Sequence, residues 1–185
     1  MKAFSICIGR KGSKGLPGKN KMIINNKPLA FYPMSSASKS KYITHCFLST
    51  DDPDLMKIGE SLNHINLKRP EKLAKSEALG EDVFAHAYKQ IISKYEYLKN
   101  HLIVLLFCNA PTITSDLIDN AIEHLVTDNE ADSIVSVSRF NMYSPLRARK
   151  LDSESKYLLP FVPFETFGDP NTLNCDRDSQ GDVLF

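Results

Sequence analysis

Five short apolar runs, each separated by a longer amphipathic stretch, constrain this chain most. The runs AFSICI (3–8), THCFLST (44–50), HINLKR (64–69), HLIVLLFC (101–108) and DSIVSVS (132–138) predict strands. Between them, residues 27–40, 52–62, 80–99 and 114–128 predict helices. In the last, Ile118, Ala121, Ile122 and Leu125 share one face, with Thr114 or Ser115 as the cap. Pro28 suits a first helical turn, while Pro33, five residues on, predicts a kink or a short helix. Strands alternating with helices imply an α/β fold on a mostly parallel sheet. Ligands of such sheets bind beyond the carboxyl ends of the strands. The pattern breaks after about residue 140, where Pro145, Pro160, Pro163 and Pro170 suit an irregular or hairpin excursion. The closing GDVLF reads as a strand just begun.

With 185 residues the chain suits one domain, 1–185, large enough for a real core. Its 23 basic and 22 acidic residues leave a net charge of +1, so no global field directs it to nucleic acid or an acidic membrane. Any phosphate chemistry must come from a local cluster. Cys7, Cys46, Cys108 and Cys175 form no CxxC, and the first three lie in or beside apolar runs, as small buried hydrophobes do. The histidines (His45, His64, His86, His101 and His124) show no HxH or HExxH spacing for zinc. No apolar run is long enough for a signal h-region or a membrane span. A soluble, reduced, cytoplasmic protein is the expectation.

The local cluster is GRKGSKGLPGKN, residues 9–20, directly after the first predicted strand. Gly12, Gly15 and Gly18 let backbone N–H groups converge on an oxyanion, and Arg10, Lys14 and Lys19 supply charge. A solvated strand-to-helix turn is the plain alternative. Walker A does not fit, because five residues separate Gly12 from Gly18 and Asn20 stands where the metal-binding hydroxyl belongs. A Rossmann fingerprint does not fit either, since the loop reads G-x-x-G-x-x-G with Pro17 inside. The segment IGRKG imitates the GXXG loop of an RNA-binding KH domain, but that loop joins two helices and this one follows a strand.

GRKGSKGLPGKN resembles the signature loop of the acylneuraminate cytidylyltransferases, the CMP-sialic acid synthetase family, with Lys11 in place of the commoner glycine. KPLAFY, LSTDD and RPEKLAKSEALGEDVFAHAY resemble the segments that follow, in register over roughly residues 1–140. The resemblance implies a three-layer, Rossmann-like nucleotide-diphospho-sugar transferase fold with a C-terminal dimerisation arm at about 140–175. It also implies a homodimer, and a reaction joining CTP to an acidic nine-carbon sugar, giving a CMP-sugar and pyrophosphate. Mg2+ bridging the phosphates is the implied cofactor.

By that resemblance Arg10, Lys14 and Lys19 carry the catalysis, Lys14 stabilising charge on the reacting phosphate and Lys19 holding the departing pyrophosphate. Gly12, Ser13 and Asn20 bind the triphosphate. Arg69, Ala78 and Gly80 form the cytosine side, where relatives often have a hydroxyl in place of Gly80. Asp51 and Asp52 end a strand and face metal, sugar or solvent. FCNAPTIT (107–114) departs from the family's Gln-Pro-Thr-Ser-Pro-Leu-Arg run, which leaves Asn109 and Thr112 as candidate sugar-side contacts and opens the acceptor to legionaminic or pseudaminic types. Arg147, Arg149 and Lys150 reach an acidic sugar in a partner's site or form a solvated basic face. Relatives place Mg2+-binding aspartates further on; Asp176, Asp178 and Asp182 do not match that motif, so no metal ligand is assigned. An incomplete chain is the simpler account and an altered metal site the other. The alternatives to the enzyme are a nucleotide-binding relative without turnover and a KH-like RNA-binding module.

Overall fold

The computed structural model describes residues 2–12, 16–75, 78–137, 149–151, 154 and 158–160. Residues 1–133 form one compact unit and residues 134–185 another.

The first unit is built on β1 (Ala3–Ile8), whose six residues are all buried. A strand covered on both faces must be apolar throughout, which AFSICI nearly satisfies. The chain then passes the glycine-rich loop and a 3-10 turn (Lys19–Lys21) into a small antiparallel hairpin, β2 (Ile23–Ile24) with β3 (Lys27–Pro28). Asn25 and Asn26, at φ 47° and 63°, make its two-residue turn, with the positive φ at both positions that matches the right-handed twist of the strands. This displaces the helix predicted from residue 27. Pro28 lies in β3, and α1 runs Phe31–Lys39. Pro33 is the third residue of α1, where its missing N–H costs no helical hydrogen bond. The short-helix outcome therefore holds without a kink.

β4 (Ile43–Thr50) leads to α2 (Pro53–Ser61), capped by the Asp52 carboxylate, which accepts from Asp54 N–H at 2.9 Å. Then come β5 (Ile65–Lys68), the short α3 (Glu71–Ala74), which the sequence did not reveal, and α4 (Gly80–Lys94). The expected helix over 80–99 breaks at Tyr95 and continues as a 3-10 segment, Glu96–Asn100, that buries Leu98. β6 (Leu102–Phe107) and α5 (Ser115–Thr127) complete the unit. Thr114 caps α5, its hydroxyl oxygen accepting from Leu117 N–H at 3.1 Å.

The four long strands form one parallel sheet in the order β5-β4-β1-β6. Alternate side chains of β1 feed two cores. Ala3 and Cys7 join Leu48, Leu106 and residues of α1, α2 and α5 on one face. Phe4, Ile6 and Ile8 join Phe47 and the α4 residues Val83, Ala87 and Ile91 on the other. The result is three layers.

Residues 132–137, predicted as the start of a fifth strand, take no strand pairing; Val135 is 75% exposed. Their alternation was a sound strand signal, but no described strand supplies a ladder for it. In the second unit, β7 (Arg149–Leu151) pairs antiparallel with β8 (Leu158–Pro160), in keeping with the hairpin excursion. Arg147, Asp176, Asp178, Asp182 and the closing GDVLF lie outside the described residues.

Candidate active site at the switch point of the sheet

The strand order fixes where a ligand can sit. From β1 the chain builds outward through β4 to β5, then crosses to the far side of β1 to lay down β6. β1 and β6 are thus neighbours in the sheet though far apart in the chain, and the strand order reverses between them, which places a crevice at their carboxyl ends. A pocket lies there. Ile8, Gly9 and Arg10 enter it from β1, and Phe107 and Asn109 from β6. Lys19 and Asn20 come from the 3-10 turn, and Arg69, Ala78 and Gly80 from the segments after β5.

The loop is cross-linked to the strands around it. Gly9 N–H donates to the Ser49 carbonyl at 3.3 Å, and the same carbonyl accepts from the Arg69 guanidinium, whose Nε also reaches Ser49 Oγ at 3.4 Å. Arg69 is 7% exposed, and burial pushes its pKa down while the nearby Asp51 carboxylate opposes that. Its charge is thus anchored under the pocket rather than waving over it. Asn20 donates from Nδ2 to the Arg10 carbonyl at 3.4 Å, and its Oδ1 is buried with no partner among the described residues. A buried acceptor left open beside a pocket is costly unless a ligand donor meets it.

The two aspartates after β4 have structural partners. Asp51 Oδ1 accepts from Lys11 N–H at 3.0 Å and so holds the loop's first turn. Asp52, 2% exposed, caps α2 and lies 3.4 Å from Lys21 Nζ, which also reaches Asp54 at 3.0 Å. The hydrogen bond that Lys21 donates to Asp54 raises the Lys21 pKa and lowers that of Asp54. Lys21 therefore fastens the turn carrying Lys19 and Asn20 to the first turn of α2. Among the described residues no three His, Cys, Asp or Glu side chains converge to hold a metal ion. Asp51 and Asp52 are thus engaged in holding the loop and α2.

Beneath the loop, Cys7 Sγ and Cys108 Sγ lie 3.6 Å apart, both buried. The hydrogen bond shared with Cys108 and burial raise the Cys7 pKa well above its ordinary value, so Cys7 packs as a thiol rather than serving as a nucleophile.

Seven of the eleven residues expected at the site line this one pocket: Arg10, Lys19, Asn20, Arg69, Ala78, Gly80 and Asn109. Gly12 is in the exposed loop, with nothing within 4 Å of where a Cβ would stand. Thr112 sits in an exposed turn after β6, away from the pocket lining. Ser13 and Lys14 lie outside the described residues. Sequence reading missed Leu73, Lys75, Val83 and Phe107, which also line the pocket. Phe107, 48% exposed, packs edge-on against Phe84 at 5.5 Å and forms its apolar wall with Ile8 and Val83. The GXXG imitation is entered from β1, a strand of a parallel sheet, so the helix-loop-helix of a KH domain is not formed there.

Residues 5–160 match the Cytidylyltransferase family. The chain belongs to that family. An N-acylneuraminate cytidylyltransferase of Escherichia coli is 32% identical over 83% of this chain and 35% of its own. A 3-deoxy-manno-octulosonate cytidylyltransferase of Thermodesulfovibrio yellowstonii is 25% identical over 98% of this chain and 62% of its own. This chain therefore spans about a third of the first relative's length and less than two thirds of the second's. Among solved structures, a CMP:2-keto-3-deoxy-manno-octonic acid synthetase complexed with CTP is 20% identical, with a TM-score of 0.54 over 69% of this chain and 48% of its own. That likeness shows the fold, a Rossmann-like nucleotidyltransferase sheet.

Proposed function

We propose that this cytidylyltransferase family member transfers CMP from CTP to a sialic acid-like 2-keto-3-deoxy sugar acid. The observation that carries the reading is the convergence of Arg10, Lys19 and Arg69 on one pocket at the switch point of the sheet. Relatives named for N-acylneuraminate and for 3-deoxy-manno-octulosonate support the acceptor class and leave its member open.

In this reading the loop between β1 and the 3-10 turn takes the triphosphate. Arg10, Lys14 and Lys19 are its cations, with Gly12 and Ser13 in the backbone cradle. The Arg69, Ala78 and Gly80 wall takes the nucleoside, and Asn20 Oδ1 accepts from a nucleotide or sugar hydroxyl. The sugar's anomeric hydroxyl oxygen bonds to the α-phosphorus, the bond from that phosphorus to the β-phosphate bridging oxygen breaks, and pyrophosphate leaves. In this reading the hydroxyl proton passes to a phosphate oxygen. Positioning and charge stabilisation supply the acceleration in such transfers. Mg2+, if it accompanies the triphosphate, would neutralise charge on the phosphates during the transfer.

Asn109 faces the acceptor side in this scheme. Residues 140–175, including Arg149 and Lys150, are proposed as a dimerisation arm, and a cytoplasmic location is proposed with it. No helix among the described residues is long and apolar enough to cross a membrane.

The test is pyrophosphate release with Mg2+ from each nucleoside triphosphate, against sialic, legionaminic, pseudaminic and KDO-type acids. Release with CTP and one acid is expected. Release with another nucleotide, or with none of the acids, overturns the reading as stated.

A further inference from the structure

The pocket's cations come from two segments. Arg10 and Lys19 come from the loop and 3-10 turn after β1, and Arg69 and Lys75 from the segment after β5. No aspartate or glutamate lines the pocket among the described residues. Asp51 offsets part of the Arg69 charge, and an anion bound in the cavity would offset the repulsion among the cations that remain.

The two cations of the second segment are not equivalent. The Arg69 guanidinium is buried and spends Nε and Nη2 on Ser49, so it sets the local field more than it reaches for a ligand. Lys75 is exposed, ends α3 and takes an extended backbone conformation at φ −71° and ψ 162°. Its carbonyl accepts from Ala78 N–H at 3.3 Å, a turn that returns the chain to the pocket at Ala78. Lys75 therefore lines the same cavity as Arg10 and Lys19 from a separate segment, on a flexible four-carbon stem.

We propose that Lys75 is a substrate-binding residue that holds the phosphate chain of the nucleotide together with Arg10 and Lys19. This rests on the nucleotide reading given above. The triphosphate is then held by cations from two separate segments, the loop after β1 and the end of α3. A charge-assisted contact of this kind is worth about tenfold in affinity.

Equilibrium titration of the full chain with CTP, UTP and inorganic tripolyphosphate tests this, for the native protein and for Lys75→Gln and Lys75→Arg. Expected are preferential binding of CTP by the native protein and about tenfold weaker binding of both CTP and tripolyphosphate by Lys75→Gln. Near-native binding by Lys75→Arg and unchanged thermal midpoints are expected with them. Native binding of CTP with no loss in Lys75→Gln overturns the role of Lys75 and leaves the functional reading standing. Loss of CTP binding with tripolyphosphate unaffected overturns the phosphate contact. Failure of the native protein to prefer CTP over UTP overturns the functional reading and this inference together.

Discussion

The Sγ of Cys108 lies 2.6 Å from where a Cβ would stand on Gly9, and Leu55 Cδ1 lies 2.9 Å from the same point. The first glycine of the loop is therefore required by close packing under the pocket. Gly9→Ala is expected to cost about 1–3 kcal/mol of stability through overpacking, lowering the thermal midpoint by roughly 2–10 °C. It should also weaken CTP binding, because Arg10 moves with it. Trimming the neighbour in Gly9→Ala/Cys108→Ala should recover part of the stability. Differential scanning calorimetry of both variants checks this, and a Gly9→Ala midpoint equal to the native one would show that the loop does not rest on Cys108.

Asp51 separates two accounts of the acidic pair after β4. As an acceptor for Lys11 N–H, its essential feature is an oxygen, so Asp51→Asn should keep most activity while Asp51→Ala loosens the loop and raises the KM for CTP. As a metal ligand, its essential feature is the charge, and both variants would lose turnover alike. Steady-state kinetics of the two substitutions at fixed Mg2+ distinguish them. Retention of activity in Asp51→Asn is the expected outcome.

His64 gives the fold an acid sensitivity far from the site. Its ring is 4% exposed, with Nε2 3.0 Å from the Met34 carbonyl and 3.2 Å from Ser38 Oγ. Burial pushes its pKa below the ordinary value, only partly opposed by the Met34 carbonyl. The unfolded chain then binds a proton more readily than the native one, so stability must fall as pH drops below about 6.5. Urea midpoints measured from pH 7.5 down to 5 should decline, and His64→Gln should flatten that decline. An equally steep decline in the variant would assign the sensitivity to other groups.

How far the sequence foretold this arrangement depended on the range of each signal. Strands β1, β4, β5 and β6 were legible because their apolar runs are short and bounded, and Thr114 was legible as a cap because capping is decided within four residues. The glycine-rich loop announced the site by composition. The β2–β3 hairpin was hidden because Asn25-Asn26 is a weaker turn signal than Asn-Gly, and Pro28 carried the competing meaning of a helix start. Pro33 was read as a defect because its place in the first turn of α1 depends on where that hairpin ends. The break at Tyr95 follows from Leu98 turning into the α4-side core, a tertiary demand with no local mark. Residues 132–137 show the converse, a correct period without a described partner strand.

The same limit applies within the site. Arg10, Lys19 and Asn20 are close in sequence to the loop that betrayed them, whereas Lys75 and Phe107 reach the pocket only through the topology of the sheet. Nothing around Lys75 marks it, and Phe107 reads simply as the end of a buried strand. Asp51 and Asp52 looked open to metal because their partners, Lys11 N–H and Lys21, come from a distant part of the chain.

The central claim is that CTP occupies the crevice between the carboxyl ends of β1 and β6. Backbone amide chemical shifts of the 15N-labelled protein, followed as CTP is added, test it most directly. The account predicts shifts concentrated at Gly9, Arg10, Asn20, Arg69, Ala78 and Asn109, with UTP producing weaker ones. Saturable shifts clustered elsewhere on the molecule, or none at millimolar CTP, would contradict it.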